Sequence, residues 1–398
     1  MKFTQKYLQR YESLNQHLST QRHYWQLRPY HVFDYPWRSC NPALADFLDG
    51  LDDTAIDRLD PDFYALSQAL AAFIPSAQEL YQLSQMPPPT TAAAAFPIRL
   101  QRAIPGRKWQ QISAFVAHLD ATSTPLPWLD WCAGKGHLGR LLAHHSGQPV
   151  DCIERNPDLC RQGRELAADL PLQFHCADVL APASAGLLQP DQHAVALHAC
   201  GGLHLQLLRL SVAHGLRAIS LVPCCYHLIA SPVYQPLSRA ARNTTLRLER
   251  QDLQLPSQEL LVGGRRQRRL RENEVQWRLG FDSLQRDLRA QNTYLPVPNV
   301  RESVLNQDFQ TFCQWAAARK DLHLPTSVDW HYYETLGRQR RQRVKRMSLV
   351  RHLFRRPLEI WLLLDRALFM AEHGYRVSLQ AFCERHQTPR NLLLQARR

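Results

Sequence analysis

The sequence predicts an α/β protein built on a Rossmann-like, doubly wound parallel sheet, with a helical N-terminal region and a basic, mainly helical C-terminal region. Three observations carry this. Between residues 126 and 230 short apolar runs (LPWLDWC, PVDCIE, QFHCAD, HAVALHACG, LRAISLVPCC) alternate with helix-length spacings, the pattern of repeated βα units around a parallel sheet. A glycine loop, LDWCAGKGHLGRLLA (Leu129 to Ala143), joins the first run to a helix. Charge also divides the chain: residues 1–238 hold 18 Lys and Arg against 19 Asp and Glu, whereas residues 239–398 hold 30 against 16.

These features suggest three consecutive regions, 1–120, 121–235 and 236–398. The first reads as helical. Pro42 after Asn41 and Pro61 after Asp60 each look like a first helical position behind an N-cap, and Ser76 is a third cap candidate. The aromatic stretch His23 to Trp37 has no clear period. Met86 to Pro97, with three successive prolines, is the best linker, and Lys108 to His118 reads as a helix leading into the sheet. The third region begins with extended-looking pieces (TTLRLERQDLQL) and continues through long Arg-rich helices. It ends in an apolar helix, LEIWLLLDRALFMAEHGY, and two strand-like segments, RVSLQAF and RNLLLQA.

At 398 residues, 45% hydrophobic and 21% charged, the composition excludes disordered and collagen-like classes. No run of about 20 apolar residues is present to cross a bilayer, and the opening MKFTQKYLQRYESLN lacks the apolar centre of a secretory signal. Ten scattered cysteines suit reduced thiols. The expectation is a cytoplasmic protein with no membrane partner.

In the loop, Gly134 and Gly136 permit a tight turn and close approach of a ligand, and HLGRLLA opens a helix whose N-terminus offers free N–H groups. The spacing Gly134, Gly136, Gly139 also satisfies the dinucleotide fingerprint, so a nicotinamide dinucleotide and S-adenosylmethionine compete. Asp130 stands ahead of Cys132-Ala133-Gly134, where a carboxylate holds the methionine ammonium and would repel a pyrophosphate. Glu154, ending the second run, is placed for ribose hydroxyls with either cofactor. Asp178, ending the third and followed by Val179, is placed for the adenine amino group. Asp130 and Asp178 favour S-adenosylmethionine; the bland alternative is a plain turn with ordinary strand-end acids.

ALHACGG (Ala196 to Gly202) and PCCYH (Pro223 to His227) follow the fourth and fifth runs, so both fall at the carboxyl edge of the sheet. The candidate catalytic residues are His198, Cys224, Tyr226 and His227, with Cys200 and Cys225 beside them. A mixed soft-ligand metal site competes with packing and with target positioning. Adjacent cysteines are poor partners for one tetrahedral ion, so no metal is expected.

The series DWCAGKGHLGR, ALHACGG and PCCYHL resembles the methyltransferase domain of the methyltransferase-like 25 family, shared more loosely with the glutathione S-transferase C-terminal domain-containing protein. The tail, LEIWLLLDRALFMAEHGYRVSLQAF and TPRNLLL within Leu358 to Leu394, resembles that family's ending. Together these cover about 140 residues well. The resemblance implies a class I methyltransferase sheet with S-adenosylmethionine held at Asp130, Gly134, Gly136, Glu154 and Asp178. Gly202 departs from it, since an acidic residue is expected there. No Asn-Pro-Pro-Tyr type of motif follows the fourth strand, which argues against adenine methylation.

For the acceptor, Arg-rich runs point to RNA through Arg265, Arg266, Arg268, Arg269, Arg338, Arg340, Arg341 and Arg343, because guanidinium suits phosphate contacts. A solvated helix face is the bland reading of either run. A ribosomal or translation-related protein is the alternative acceptor. A non-catalytic RNA-binding protein that keeps the fold is the reading from another class.

Overall fold

Seven strands form one mixed sheet in the order β3-β2-β1-β4-β5-β7-β6. They are β1 (Trp128–Trp131), β2 (Val150–Glu154), β3 (Leu172–Cys176), β4 (His193–Cys200), β5 (Ala218–Cys224), β6 (Arg376–Ala381) and β7 (Leu392–Arg397). The first five run parallel, whereas β7 pairs antiparallel with both β5 and β6. The computed structural model describes residues 2–89, 95–119, 126–167, 169–258 and 265–398, and the side chains of residues 2, 3 and 265 lie outside that description.

The helices His137–Ser146, Pro157–Leu166 and Gly202–His214 are the crossovers between parallel strands, as the alternating runs predict. β1 and β5 are buried along their whole length, which is why both read as continuous apolar runs rather than alternating ones. The terminal strands RVSLQA and LLLQAR also appear where the sequence places them.

The chain divides into two units assembled from non-contiguous segments, where the sequence suggests three consecutive regions. One unit comprises residues 1–19, 82–260 and 355–398, and contains the whole sheet. Its core joins Ile112, Phe115 and Val116 of the Gly106–Ala117 helix to Leu141 and Leu142 of the helix after the glycine loop and to Phe382 and Leu393 of the tail. In the Arg355–Glu372 helix, Asp365 is fully buried. Its carboxylate accepts from Tyr234 Oη, the Leu237 and Ser238 N–H groups and Ser238 Oγ, so every lone pair of a buried charge has a donor. Of the Met86 to Pro97 linker, residues 90–94 lie outside the described residues. Its start is tied down, because Pro87 O accepts the Ala381 N–H at 3.0 Å.

The second unit comprises residues 20–81 and 261–354. Its long helices Arg265–Arg289 and Trp330–His352 pack with Phe309–Arg319 around Trp277, Phe281, Phe309 and Phe312. Asn41 caps Pro42–Asp49 as predicted, taking the Leu44 N–H at 3.2 Å. Pro61 does not open a helix. Phe63–Leu70 starts two residues later behind Asp62, whose carboxylate takes the Ala65 N–H, a cap that leaves the proline in the preceding turn. Ser76 precedes the Ala77–Leu83 helix, but its hydroxyl bonds Gln21 instead. In the sheet-bearing unit, TTLRLERQDLQL forms no strand. It yields an isolated bridge (Val233 to Glu249) and a 3-10 turn, Asp252–Ser257, with Leu246, Leu248, Leu253 and Leu255 buried individually.

Candidate active site

The carboxyl ends of β1, β2, β4 and β5 bring the predicted motifs to one edge of the sheet. β1 is flanked by β2 on one side and β4 on the other, and their crossovers leave in opposite directions, the switch point at which open α/β sheets take ligands.

The glycine loop is wired to both neighbouring strands. Gly134 has φ +60° with open space where a Cβ would be. Its N–H donates to Glu154 Oε2 at 3.0 Å, and Glu154 Oε1 accepts the Asn156 N–H at 2.8 Å. Glu154 is half-buried, oriented by two backbone donors that leave a further lone pair on each oxygen. Asp178 Oδ1 accepts the Leu180 N–H at 2.9 Å, and the residue is half-buried beside buried Val179. Cys132 takes φ +62° where the strand turns into the loop, and Ala133 N–H donates to Ile153 O, fastening the loop to β2.

Asp130 differs from its predicted placement at a ligand-facing strand end. It is 2% exposed, and its Oδ2 accepts the Gly139 N–H from the first turns of the following helix. Burial pushes its carboxyl up to about 7, with the Gly139 bond and Lys108 opposing and Glu154 adding to the rise.

At the ends of β4 and β5 the backbone is strained. His198 (φ +69°) and Cys225 (φ +44°) are left-handed without being glycine, each costing about 1–2 kcal/mol. The β4–β5 register shifts between Leu197 and Cys200. His198 Nε2–H donates to Gln111 Oε1 at 2.8 Å, which leaves Nδ1 with the ring lone pair. Burial, with Lys108 next, pushes His198 down, so it is neutral at neutral pH. Neither Lys108 nor Gln111 belongs to a motif; the available signal was two polar residues three apart on the helix preceding β1.

The PCCYH residues do not share one environment. Cys224 is 2% exposed, and its Sγ lies 3.3 Å from Cys200 Sγ. The Cys200 and Cys224 thiols, hydrogen-bonded to Cys225, push the Cys225 thiol down, and Cys224 is pushed up, by Cys200 first. Tyr226 points inward, a correction to its predicted place at the rim. It is 1% exposed under the Arg366 guanidinium, 5.0 Å from its ring centroid, and its hydroxyl is buried without a partner. Burial pushes its phenol far up. His227 is half-buried, with Nδ1 enclosed and unpartnered. Gly202 N–H donates to Leu228 O at 2.8 Å, so its place in the family pattern is held by a backbone contact.

The site's fold and loop agree with a comparison of the sequence with known families. Residues 107–232 match the family model described as a methyltransferase domain. That stretch, from the Gly106–Ala117 helix to just beyond β5, contains every predicted cofactor and rim residue, and the fold is that of a class I methyltransferase. The dinucleotide-binding order 3-2-1-4-5-6 lacks the antiparallel β7 inserted here between β5 and β6. No curated protein matches the chain. Among solved structures, the bifunctional kinase-methyltransferase WbdD is 17% identical, over 36% of this chain and 34% of that one, with a TM-score of 0.23. The plantazolicin methyltransferase BpumL in complex with SAH is 14% identical, over 42% and 59%, with a TM-score of 0.21. A possible exported protein from Bordetella parapertussis is 12% identical, over 99% and 96%, with a TM-score of 0.29. The chain thus spans from a third to three-fifths of the length of the two methyltransferases.

The basic runs lie in the second unit, where three of the predicted arginines are paired with acids. Arg340 is buried and pairs with Asp282 at 2.8 Å, Arg341 pairs with Asp53 at 3.3 Å, and Arg343 pairs with Asp34. Acids from distant parts of the sequence therefore pair with this run, each shared with a second cation: Asp282 with Arg286, Asp53 with Lys345 and Asp34 with Arg38. Arg338, Arg268 and Arg269 are exposed, as is Arg266, which pairs with Glu302 at 3.3 Å; the Arg265 side chain lies outside the described residues. No helix among the described residues is long and apolar enough to cross a membrane.

Proposed function

We propose that this chain is an S-adenosylmethionine-dependent methyltransferase acting on structured RNA. The observation that carries the cofactor assignment is the Gly134–Glu154 hydrogen bond beside open space over Gly134, in a domain whose family model is a methyltransferase. The residues fit the group. Glu154 has lone pairs for two ribose hydroxyls, Asp178 has a second oxygen for an adenine amino group, and Gly134, at φ +60°, lets the backbone approach there without a side chain intervening. Asp130 braces the loop from below and supplies a negative charge toward an ammonium group when ionised.

S-Adenosylmethionine supplies an electrophilic methyl group on a sulfonium. The protein's task is then alignment, together with a proton acceptor where the nucleophile is protonated. His198 suits the second role: it is neutral, Gln111 fixes its tautomer, and Nδ1 holds the free lone pair. The RNA assignment is supported by the exposed guanidiniums of Arg266, Arg268 and Arg269 at the start of the Arg265–Arg289 helix and by the net charge of +13.

The test is transfer of tritiated methyl by the purified chain to extract from cells lacking it, with the product treated separately by nuclease and protease. Label lost to nuclease is the expected result. Label lost to protease alone would make the acceptor a protein, and absence of both label and cofactor binding would return the chain to the non-catalytic reading.

A further inference from the structure

Three thiols converge where β4 and β5 end. The Sγ atoms of Cys200, Cys224 and Cys225 all lie within 4.8 Å of one another, and Cys200 and Cys224 are 3.3 Å apart. Adjacent residues of a regular strand point to opposite faces, so Cys224 and Cys225 would ordinarily be separated. Two departures from regularity bring them together: the register shift between Leu197 and Cys200, and the left-handed backbone of Cys225 just after β5. Packing alone gives no reason to hold a cysteine at φ +44° beside two other thiols. Two residues on, His227 has its Nδ1 buried without a hydrogen-bond partner.

We propose that Cys200, Cys224 and Cys225 ligate a zinc ion, with His227, whose ring nitrogens stand outside the thiol cluster, swinging in through Nδ1 as the fourth ligand. Three thiolates and an imidazole are a common set for structural zinc, and the absence of a carboxylate from the cluster disfavours magnesium and calcium. With Zn–S bonds of about 2.3 Å, sulfurs at the corners of a tetrahedron stand roughly 3.8 Å apart, so the three thiols need only small side-chain adjustments, while the His227 ring must rotate to reach the ion. Three thiols lose three protons on binding; the divalent ion then carries three thiolates and a neutral imidazole, for a site charge of −1. The ion would pin the end of β4 to the segment following β5, holding the strained backbone of both. The site does not depend on the methyl-transfer reading, and zinc content and S-adenosylmethionine binding are separate measurements on one preparation.

The test uses the full chain purified under reducing conditions, loaded with zinc, desalted and analysed for metal. About one zinc per chain is expected, falling to background in the Cys200→Ser, Cys225→Ser double variant. Folded protein that retains no zinc overturns the proposal, as does a double variant that retains it fully. Because the variant could fail to fold, the native chain is also alkylated with and without zinc and read by mass spectrometry. Cys200 and Cys225, which are half-buried, should be protected by zinc while exposed Cys40 and Cys176 react in both samples; equal labelling of Cys200 and Cys225 with and without zinc overturns the site. A Cys200–Cys224 disulfide in protein that takes up no zinc after reduction overturns it in favour of a redox pair. His227→Ala should weaken zinc binding at least about tenfold, and unchanged affinity removes His227 from the ligand set.

Discussion

The Gly139 N–H donates to Asp130 Oδ2 over 3.1 Å, joining a buried carboxylate on β1 to the helix that follows the glycine loop. Burial raises this carboxyl from its ordinary 3.8 to about 7. A raised folded-state value means that the protonated acid favours the folded chain. That contribution is complete below about pH 4 and is lost as pH rises through 7. Asp130→Asn keeps an acceptor for Gly139 and carries no charge. It should unfold at higher urea than the native chain at pH 8, by on the order of 4 kcal/mol at most, with the gain much reduced at pH 5. An equal loss of stability at both pH values would refute the assignment. Cofactor affinity of the native chain should rise between pH 6 and 8 as the carboxylate ionises, and should not do so in the variant.

Gly134 and Gly201 both have positive φ, +60° and +50°, but different surroundings. A Cβ on Gly134 meets nothing within 4 Å, whereas one on Gly201 would stand 2.1 Å from Leu228 O. Gly134→Ala should therefore cost about 1–2 kcal/mol of stability while blocking the cofactor. Gly201→Ala should cost several kcal/mol or prevent folding, because backbone must move. Thermal unfolding of the pair checks this, and equal melting temperatures would count against the contact.

Glu154→Ala removes the acceptor for the Gly134 and Asn156 N–H groups as well as the proposed ribose contact. Calorimetry with S-adenosylmethionine should show binding weakened by about 1–3 kcal/mol, the usual cost of losing charge-assisted hydrogen bonds. Retained affinity would move the ribose elsewhere.

Tyr226→Phe should leave turnover nearly unchanged and melt at the same temperature or higher. The hydroxyl it removes is buried without a partner, and deleting such a group leaves nothing unsatisfied. His198→Ala should instead lower turnover far more than cofactor affinity. A Tyr226→Phe enzyme that lost most of its turnover would restore the tyrosine to the reaction.

Replacing Arg266, Arg268 and Arg269 by Gln should flatten the salt dependence of RNA binding by up to about three units of slope, with cofactor binding intact. Arg340→Gln should act on stability instead, because Arg340 is buried and its loss leaves Asp282 with one cation fewer. An unchanged slope in the triple variant would remove this helix end from the interface.

Local pattern determined much of this protein. The alternation of apolar runs and helical spacings predicted repeated βα units around a parallel sheet, most clearly at β1 and β5, which are buried on both faces and so apolar nearly throughout, and the glycine spacing located the loop between β1 and its helix. Tertiary structure alone decided which residues of PCCYH face inward: left-handed turns at His198 and Cys225 and a register shift in β4 redirect side chains that a regular strand would alternate. It also decided the charge of the second basic run. Asp34, Asp53 and Asp282 are far from Arg340, Arg341 and Arg343 in sequence, and only folding brings these opposite charges within a few ångströms, where each acid offsets part of the positive charge of the run and of a second cation beside it.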